Sequence, residues 1–456
     1  MSRIFIISIV IACFTTITLG SNVGHLYKFN DWLMKNNSDY RYGCDGSVSK
    51  NMYFVKYCYD KDGNPLWENE KNNLDVQVYK ELWKIPFWEN PNKDTLLYYL
   101  YKYLASHLNN DKTTYQWKKD EVEPSTNPYI FEKNLVSSSL VKNQIRSYSL
   151  LSYLFFEDGH IIVDEITPKN EFGDFVNNDT KLRSNSIAKS LTSYVLGHAI
   201  CDGYIQDIDA DISDWPLVKD TLYEDRTLLD LLNMAAGDQM KVDYQTDFID
   251  GIEIDTASIK ELMPSFKFKR KGKGKVYNYN NLVSYLILNY ISFKTGDDFE
   301  KVLHRAFNEK ARIENSVYFF KMMQPKESGN KNAQFFASRY DYLRIAKAIM
   351  DDYQNQTCEG KYLKEIYDRR IRKNVPRDGT DPEFSYSMSY GGLFHLDFPG
   401  IQSQVVFGMT GGGGQVILID MDNSRIVVLN SIHFNRERYE YNVRELLINP
   451  IKNGFK

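Results

Sequence analysis

The hydrophobic positions along this chain change period more than once. Ser147-Tyr148-Ser149-Leu150-Leu151-Ser152-Tyr153-Leu154-Phe155-Phe156 reads as a strand, and His160-Ile161-Ile162-Val163-Asp164-Glu165 as its return. Glu157-Asp158-Gly159 between them predicts a hairpin turn. From Ser186 to Ile200 the spacing lengthens: Ile187, Leu191, Tyr194, Val195 and Ala199 predict an amphipathic helix. Further helices are predicted over Leu228–Met234, Leu282–Lys294, Phe299–Asn308 and Arg339–Tyr353, and a last one over about Arg436–Leu447. Val405–Met409, Gln415–Ile419 and Arg425–Leu429 return to strand character, with turns at Gly411–Gly414 and Asp422-Asn423. Strands at both ends with helices between them imply an α+β layout. One sheet is built from distant segments, and a helical subdomain faces it across a cleft. The expected division is a leader at 1–20, an aromatic-rich region at 21–140 and a main domain at 141–456 with a helical insertion at about 200–375. The 21–140 region carries one predicted helix, Asp94–Asn109, and no assignable chemistry.

The first 20 residues add a destination. Arg3 supplies a positive start, Ile4 to Gly20 carries no charge, and Thr18-Leu19-Gly20 offers small residues for cleavage. The expectation is a signal peptide and export to a periplasm or the extracellular space. An uncleaved anchor and lipidation at Cys13 are the alternatives. No later segment is apolar enough to span a membrane, so no span is expected after cleavage. Export permits disulfides: Cys44 and Cys58 are the expected pair, while Cys201, in an apolar helical run, is expected to be a buried free thiol.

Composition excludes more than it assigns. A hydrophobic fraction of 43% and a charged fraction of 25% are those of an ordinary globular protein. The net charge of −4 argues against a nucleic-acid partner. The seven histidines lack ligand spacing and no Cys-x-x-Cys pair exists, so neither a metal nor a cofactor is expected. The oligomeric state has no signature in the chain.

Three short motifs carry candidate chemistry. The Ser-x-x-Lys matches weighed are Ser47…Lys50, Ser139…Lys142 and Ser186…Lys189. Ser47 lies in a Gly/Asp-rich loop, and Ser139 closes a serine run with no helical periodicity after it. Ser186 opens a helix behind the capping-type residues Ser184 and Asn185. There, Lys189 shares a face with Ser186 and can take its proton, while backbone N–H groups at the helix start can stabilise an oxyanion. Tyr-x-Asn occurs at Tyr279-Asn280-Asn281, ahead of a predicted helix, and at Tyr353-Gln354-Asn355, where a helix ends. Tyr279 can relay a proton, and Asn281 can hold Lys189 and a substrate carbonyl. The third motif is Met409-Thr410-Gly411-Gly412-Gly413-Gly414, a strand end stripped of side chains where a ligand can pair with backbone. Gly411 and Gly412 are the candidate oxyanion positions there. No Gly-x-Ser-x-Gly elbow and no Gly-Lys-Ser/Thr phosphate loop occur.

Taken in order, these motifs resemble the serine β-lactamase and penicillin-binding-protein superfamily, above all its class C β-lactamase-like esterases and 6-aminohexanoate-oligomer hydrolases. Ser184-Asn185-Ser186-Ile187-Ala188-Lys189-Ser190 resembles the nucleophile helix. Leu228 to Gly237 is similar to the family's "LLxMxSG" segment. The resemblance spans about residues 145–435. It implies a β-lactamase/transpeptidase-like fold, with an antiparallel sheet flanked by helices, and an acyl-enzyme mechanism. Ser186 would attack, and Lys189 and Tyr279 would manage protons. The family's third box begins with Lys or His, where this chain has Met409. The substrate expectation is therefore an uncharged ester or amide. A β-lactam or D-alanyl peptide is the alternative, as is a binding protein that keeps the fold without catalysis.

Overall fold

A computed structural model describes residues 40–42, 48–50 and 119–455, with breaks at 148–149, 170, 174–175, 244–245, 247, 255–256, 268–275, 321–330, 332, 374–386 and 433–441. The leader, the Asp94–Asn109 helix and the Cys44–Cys58 pair lie outside the described residues.

The chain is organised on a nine-stranded sheet in the order β12-β13-β14-β15-β16-β17-β5-β6-β4. These strands are β4 (Glu132–Lys133), β5 (Leu150–Glu157), β6 (His160–Ile166), β12 (Ile371–Arg372), β13 (Ser389–Gly391), β14 (Phe394–Leu396), β15 (Val406–Gly411), β16 (Gln415–Asp420) and β17 (Arg425–Ser431). All neighbours are antiparallel except β4 and β6. The sheet does join distant segments. Phe155 on β5 stands opposite Val427 on β17, and Leu154 opposite Val428.

Both faces of this sheet are covered, which is why β5 is apolar without alternation. Leu154 and Phe156 turn to the larger core, under the central helices. Tyr153 and Phe155 turn the other way, into a second cluster closed by Val141, Ile145, Leu446 and Ile451. That second cover corrects two expectations. Helix Ser139–Ser147 starts at the serine given no helix, so the predicted strand begins later, at Leu150. The last described helical segments run Arg444–Ile448 and Asn449–Asn453, overlapping the expected span at Arg444–Leu447 and continuing past its end, while residues 436–441 of that span lie outside the described residues.

A four-stranded sheet, β3-β10-β11-β7, combines β3 (Lys119–Val122), β7 (Leu182–Arg183), β10 (Val317–Phe320) and β11 (Gln334–Ala337). Among the described residues two further antiparallel pairs occur: β1 (Tyr40–Tyr42) with β2 (Val48–Lys50), and β8 (Phe248–Ile249) with β9 (Ile252–Glu253).

Helix Ile187–Cys201 is the centre of the larger core. The expectation of an amphipathic helix fails, because every residue from Ile187 to Ala199 is buried. It lies among the sheet, helix Leu282–Thr295 and helix Cys358–Asp368. Its polar side chains are therefore bonded inward: Ser190 Oγ donates to the Leu393 carbonyl at 2.6 Å, and Tyr194 OH to Asp352 Oδ2 at 2.6 Å. A Cβ at Gly197 would sit 2.7 Å from the Tyr362 ring, so glycine sets the approach of the Cys358–Asp368 helix.

The same two helices are joined covalently. Cys201 is bonded to Cys358, with Cα atoms 5.8 Å apart, so it is not the free thiol expected from its apolar setting. Beside the bond, burial raises the Glu359 carboxyl, but His198, its own backbone N–H and Lys310 hold it well below the usual range. Among the described residues no helix is long and apolar enough to cross a membrane.

The sequence separation of the two cysteines is 157 residues. A loop of that size is stabilised by about 5 kcal/mol in the chain-entropy picture. Cys201→Ser with Cys358→Ser should therefore lower the urea midpoint sharply. Reductant should shift the wild type toward that value and move the double variant far less.

Candidate active site

The site is assembled where three segments meet: the start of helix Ile187–Cys201, the start of helix Leu282–Thr295, and the end of β15. Ser186 is the residue at the first helix's N-cap, with φ −68°, ψ −8° and no side-chain cap bond. Its hydroxyl is thus not spent on capping. Asn185, just before it, takes φ +47°, a left-handed conformation that asparagine tolerates better than most residues.

Ser184 and Asn185 do not cap the helix as expected. Ser184 Oγ accepts from Phe335 N at 3.1 Å on β11 and donates to the Asn185 carbonyl at 3.0 Å. Asn185 Nδ2 donates to the Gly412 carbonyl, tying the turn before Ser186 to the glycine segment. The approach is close enough to exclude a side chain. A Cβ on Gly411 would fall 2.3 Å from the Ser184 carbonyl oxygen.

Lys189 lies one turn into the helix and is 5% exposed. Its Nζ is 2.9 Å from Ser186 Oγ and 2.9 Å from Asn281 Oδ1. It also sits 4.9 Å from the centre of the Tyr279 ring. The Tyr-x-Asn segment reaches Lys189 because Asn281 does not cap the helix it precedes. Asn280 does that work instead, its Oδ1 accepting from Val283 N at 3.0 Å. The other match, Tyr353, packs against Phe407 and belongs to the core margin.

A buried carboxyl fixes the Tyr279 segment from behind. Asp238 accepts from Tyr223 OH at 2.9 Å, Asn278 Nδ2 at 2.8 Å and Asn280 Nδ2 at 3.1 Å. Burial pushes this carboxyl up from its ordinary value, against those donors.

The residues of the third motif part company. Thr410 is half-buried, and its Oγ1 lies 2.9 Å from His395 Nε2. Met409 points the other way and is fully buried in the larger core, so its side chain does not face the cleft. Gly411 and Gly412 stand against the Ser184-Asn185 turn as described. Sequence reasoning missed Asn185's tie to Gly412, Asp238, and the buried His395 with Lys373 behind it. None of these carries a spacing signal, because they meet across strands and loops distant in sequence. Burial, then the nearby Lys373 and Lys189 charges, push the His395 imidazole well below its ordinary pKa.

No protein-family model matches the chain, and neither does any curated protein. Solved structures do. One, described as a 6-aminohexanoate-dimer hydrolase from Bacillus anthracis, is 15% identical with a TM-score of 0.56, over 76% of this chain and 93% of that one. Another, described as a β-lactamase from Bacteroides dorei DSM 17855, is 12% identical with a TM-score of 0.53, over 69% and 96%. The D-amino acid amidase from Ochrobactrum anthropi SV3, complexed with L-phenylalanine, is 16% identical with a TM-score of 0.51, over 69% and 97%. The chain shares the fold of these solved structures. It is the α+β, β-lactamase/transpeptidase-like architecture expected from the motifs. At these identities the likeness concerns the fold, and the chemistry rests on the geometry of Ser186, Lys189, Tyr279 and Asn281.

Asp238→Ala would strand three donors at once. A loss on the order of 3 kcal/mol is expected from unsatisfied buried groups, measured as a shift in urea denaturation against the wild type.

Proposed function

We propose that this chain is a serine hydrolase that forms an acyl-enzyme on Ser186, acting as an esterase or amidase on uncharged acyl substrates. The observation that carries the reading is the position of Lys189 Nζ, 2.9 Å from both Ser186 Oγ and Asn281 Oδ1. In the reactive form a neutral amine there donates to Asn281 and takes the Ser186 proton. The hydroxyl oxygen then attacks the carbonyl carbon. The oxyanion would be received by the N–H groups of Ser186 and Gly412, a reading supported by the Asn185–Gly412 hydrogen bond that holds the two segments together. Tyr279, at the edge of the cleft, would pass the proton to the leaving group, and water would release the acyl group by the reverse path.

The burial of Met409 supports the uncharged substrate class, since that position presents neither a cation nor a side chain to the cleft. The Cys201–Cys358 bond supports export to an oxidising compartment. The solved hydrolases that share the fold support the general class of reaction.

A fluorophosphonate probe should label the wild type on Ser186, and Ser186→Ala should abolish labelling. Equal labelling of both proteins would overturn the assignment. Lys189→Met should slow p-nitrophenyl ester hydrolysis by about 10³-fold, the range of a lost general base, with kcat falling and KM little changed.

A further inference from the structure

Behind Thr410 runs a chain of polar groups that the proposed mechanism does not use. His395 on β14 is 3% exposed, Ser387 5% and Lys373 8%, all deep behind the cleft wall. Lys373 Nζ lies 2.8 Å from His395 Nδ1 and donates to Ser387 Oγ. Ser387 Oγ is itself 3.2 Å from the same Nδ1. On the other side of the ring, His395 Nε2 meets Thr410 Oγ1 at 2.9 Å. Tyr390 packs edge-on against the imidazole at 5.1 Å, and Tyr279 lies 6.5 Å from it. The titratable groups bearing on His395 are Lys373, in contact with it, and Lys189.

The chemistry of the donors sets the direction of this chain. An ammonium has hydrogens to give and no lone pair, so beside Lys373 the Nδ1 atom must accept. A neutral imidazole then carries its proton on Nε2 and donates it to Thr410 Oγ1. With its oxygen accepting from the protein, the Thr410 hydroxyl turns its own hydrogen outward, where the residue is half-exposed beside Gly411 and Gly412.

We infer that Lys373 and His395 are positioning residues that hold Thr410 as a hydrogen-bond donor to a second carbonyl on the acyl part of the substrate, so that the cleft favours amide-bearing acyl groups over plain alkanoyl ones. This rests on the acyl-enzyme reading above. The arrangement gives the cleft a fixed donor where Met409 gives none, with the positive charge held one residue behind the wall and no cation exposed to the ligand. A neutral carbonyl is the acceptor that suits such a donor.

The test uses the full chain with its disulfide intact and two esters differing in one group: the p-nitrophenyl esters of N-acetylalanine and of propionic acid. The ratio of kcat/KM for the first over the second should fall about tenfold in Lys373→Met and in His395→Phe, the size of one hydrogen bond to a neutral acceptor. The double variant should lose no more than either single one. Lys373→Gln keeps a donor beside Nδ1 and should hold the ratio within about twofold of the wild type. An unchanged ratio in the single variants, or losses that multiply in the double variant, would overturn the relay. Nitrogen-15 NMR of the wild type, with the His395 signal assigned by its loss in His395→Phe, reads the tautomer directly and needs no activity. Protonation at Nε2 near neutral pH is expected, and protonation at Nδ1 overturns the proposal. Should the wild type hydrolyse neither ester, the acyl-enzyme reading fails, and the NMR result still decides the relay.

Discussion

Withdrawing the Lys189 amine from water is the constraint on which the rest of the site depends. A buried amine needs hydrogen-bond partners or its burial is costly. Lys189 finds them in Ser186, one turn back on its own helix, and in Asn281, on a segment 92 residues further along the chain. Every nearby arrangement serves that meeting. Asn280 caps the second helix so that Asn281 can turn inward. Asp238 gathers Asn278 and Asn280 so that the segment between them stays put. The helix carrying Lys189 is buried on all sides, so neither its pitch nor its rotation can relax to let the amine out.

Much of this was legible in the sequence, and the legible part has a common physical character. Ser186, Lys189, Tyr279 and Asn281 declared themselves through contacts within one turn of helix or through a turn ahead of a helix. The strands at 406–411, 415–420 and 425–431 and the helices from Leu282 and Arg339 followed from periodicity, within a few residues at each end. What stayed hidden depends on contacts between segments. Ser139 begins a helix because the outer face of the sheet must be covered, a demand that belongs to the sheet. Cys201 looked like a core thiol because its neighbours are apolar, and its partner arrives from another helix entirely. Asn185 and Ser184 had the composition of caps, but tertiary partners on β11 and beside Gly412 outbid that local role.

Met409 shows how a motif position can mislead when read one residue at a time. The missing cation suggested a cleft with less polar equipment than its relatives by fold. Strand alternation explains the position differently. A side chain at 409 turns into the core, where methionine fits an irregular apolar space, and the residue facing outward is Thr410. Polar equipment is present, but it arrives from β14, whose register with β15 sets His395 opposite Gly408. A glycine there is needed for another reason as well, since a Cβ would fall 2.3 Å from the Phe398 ring.

The covalent link between Cys201 and Cys358 has a consequence for how the protein behaves when cut. A single backbone cleavage anywhere between those two positions yields two fragments that stay attached, one carrying Ser186 and Lys189, the other carrying Thr410 and the glycine run. On a gel without thiol the nicked protein would migrate near the intact chain, and it would separate into two bands only after reduction. Damage to the segments joining the helices would thus leave the two halves of the site tethered, with the chance to remain assembled, for as long as the surroundings stay oxidising.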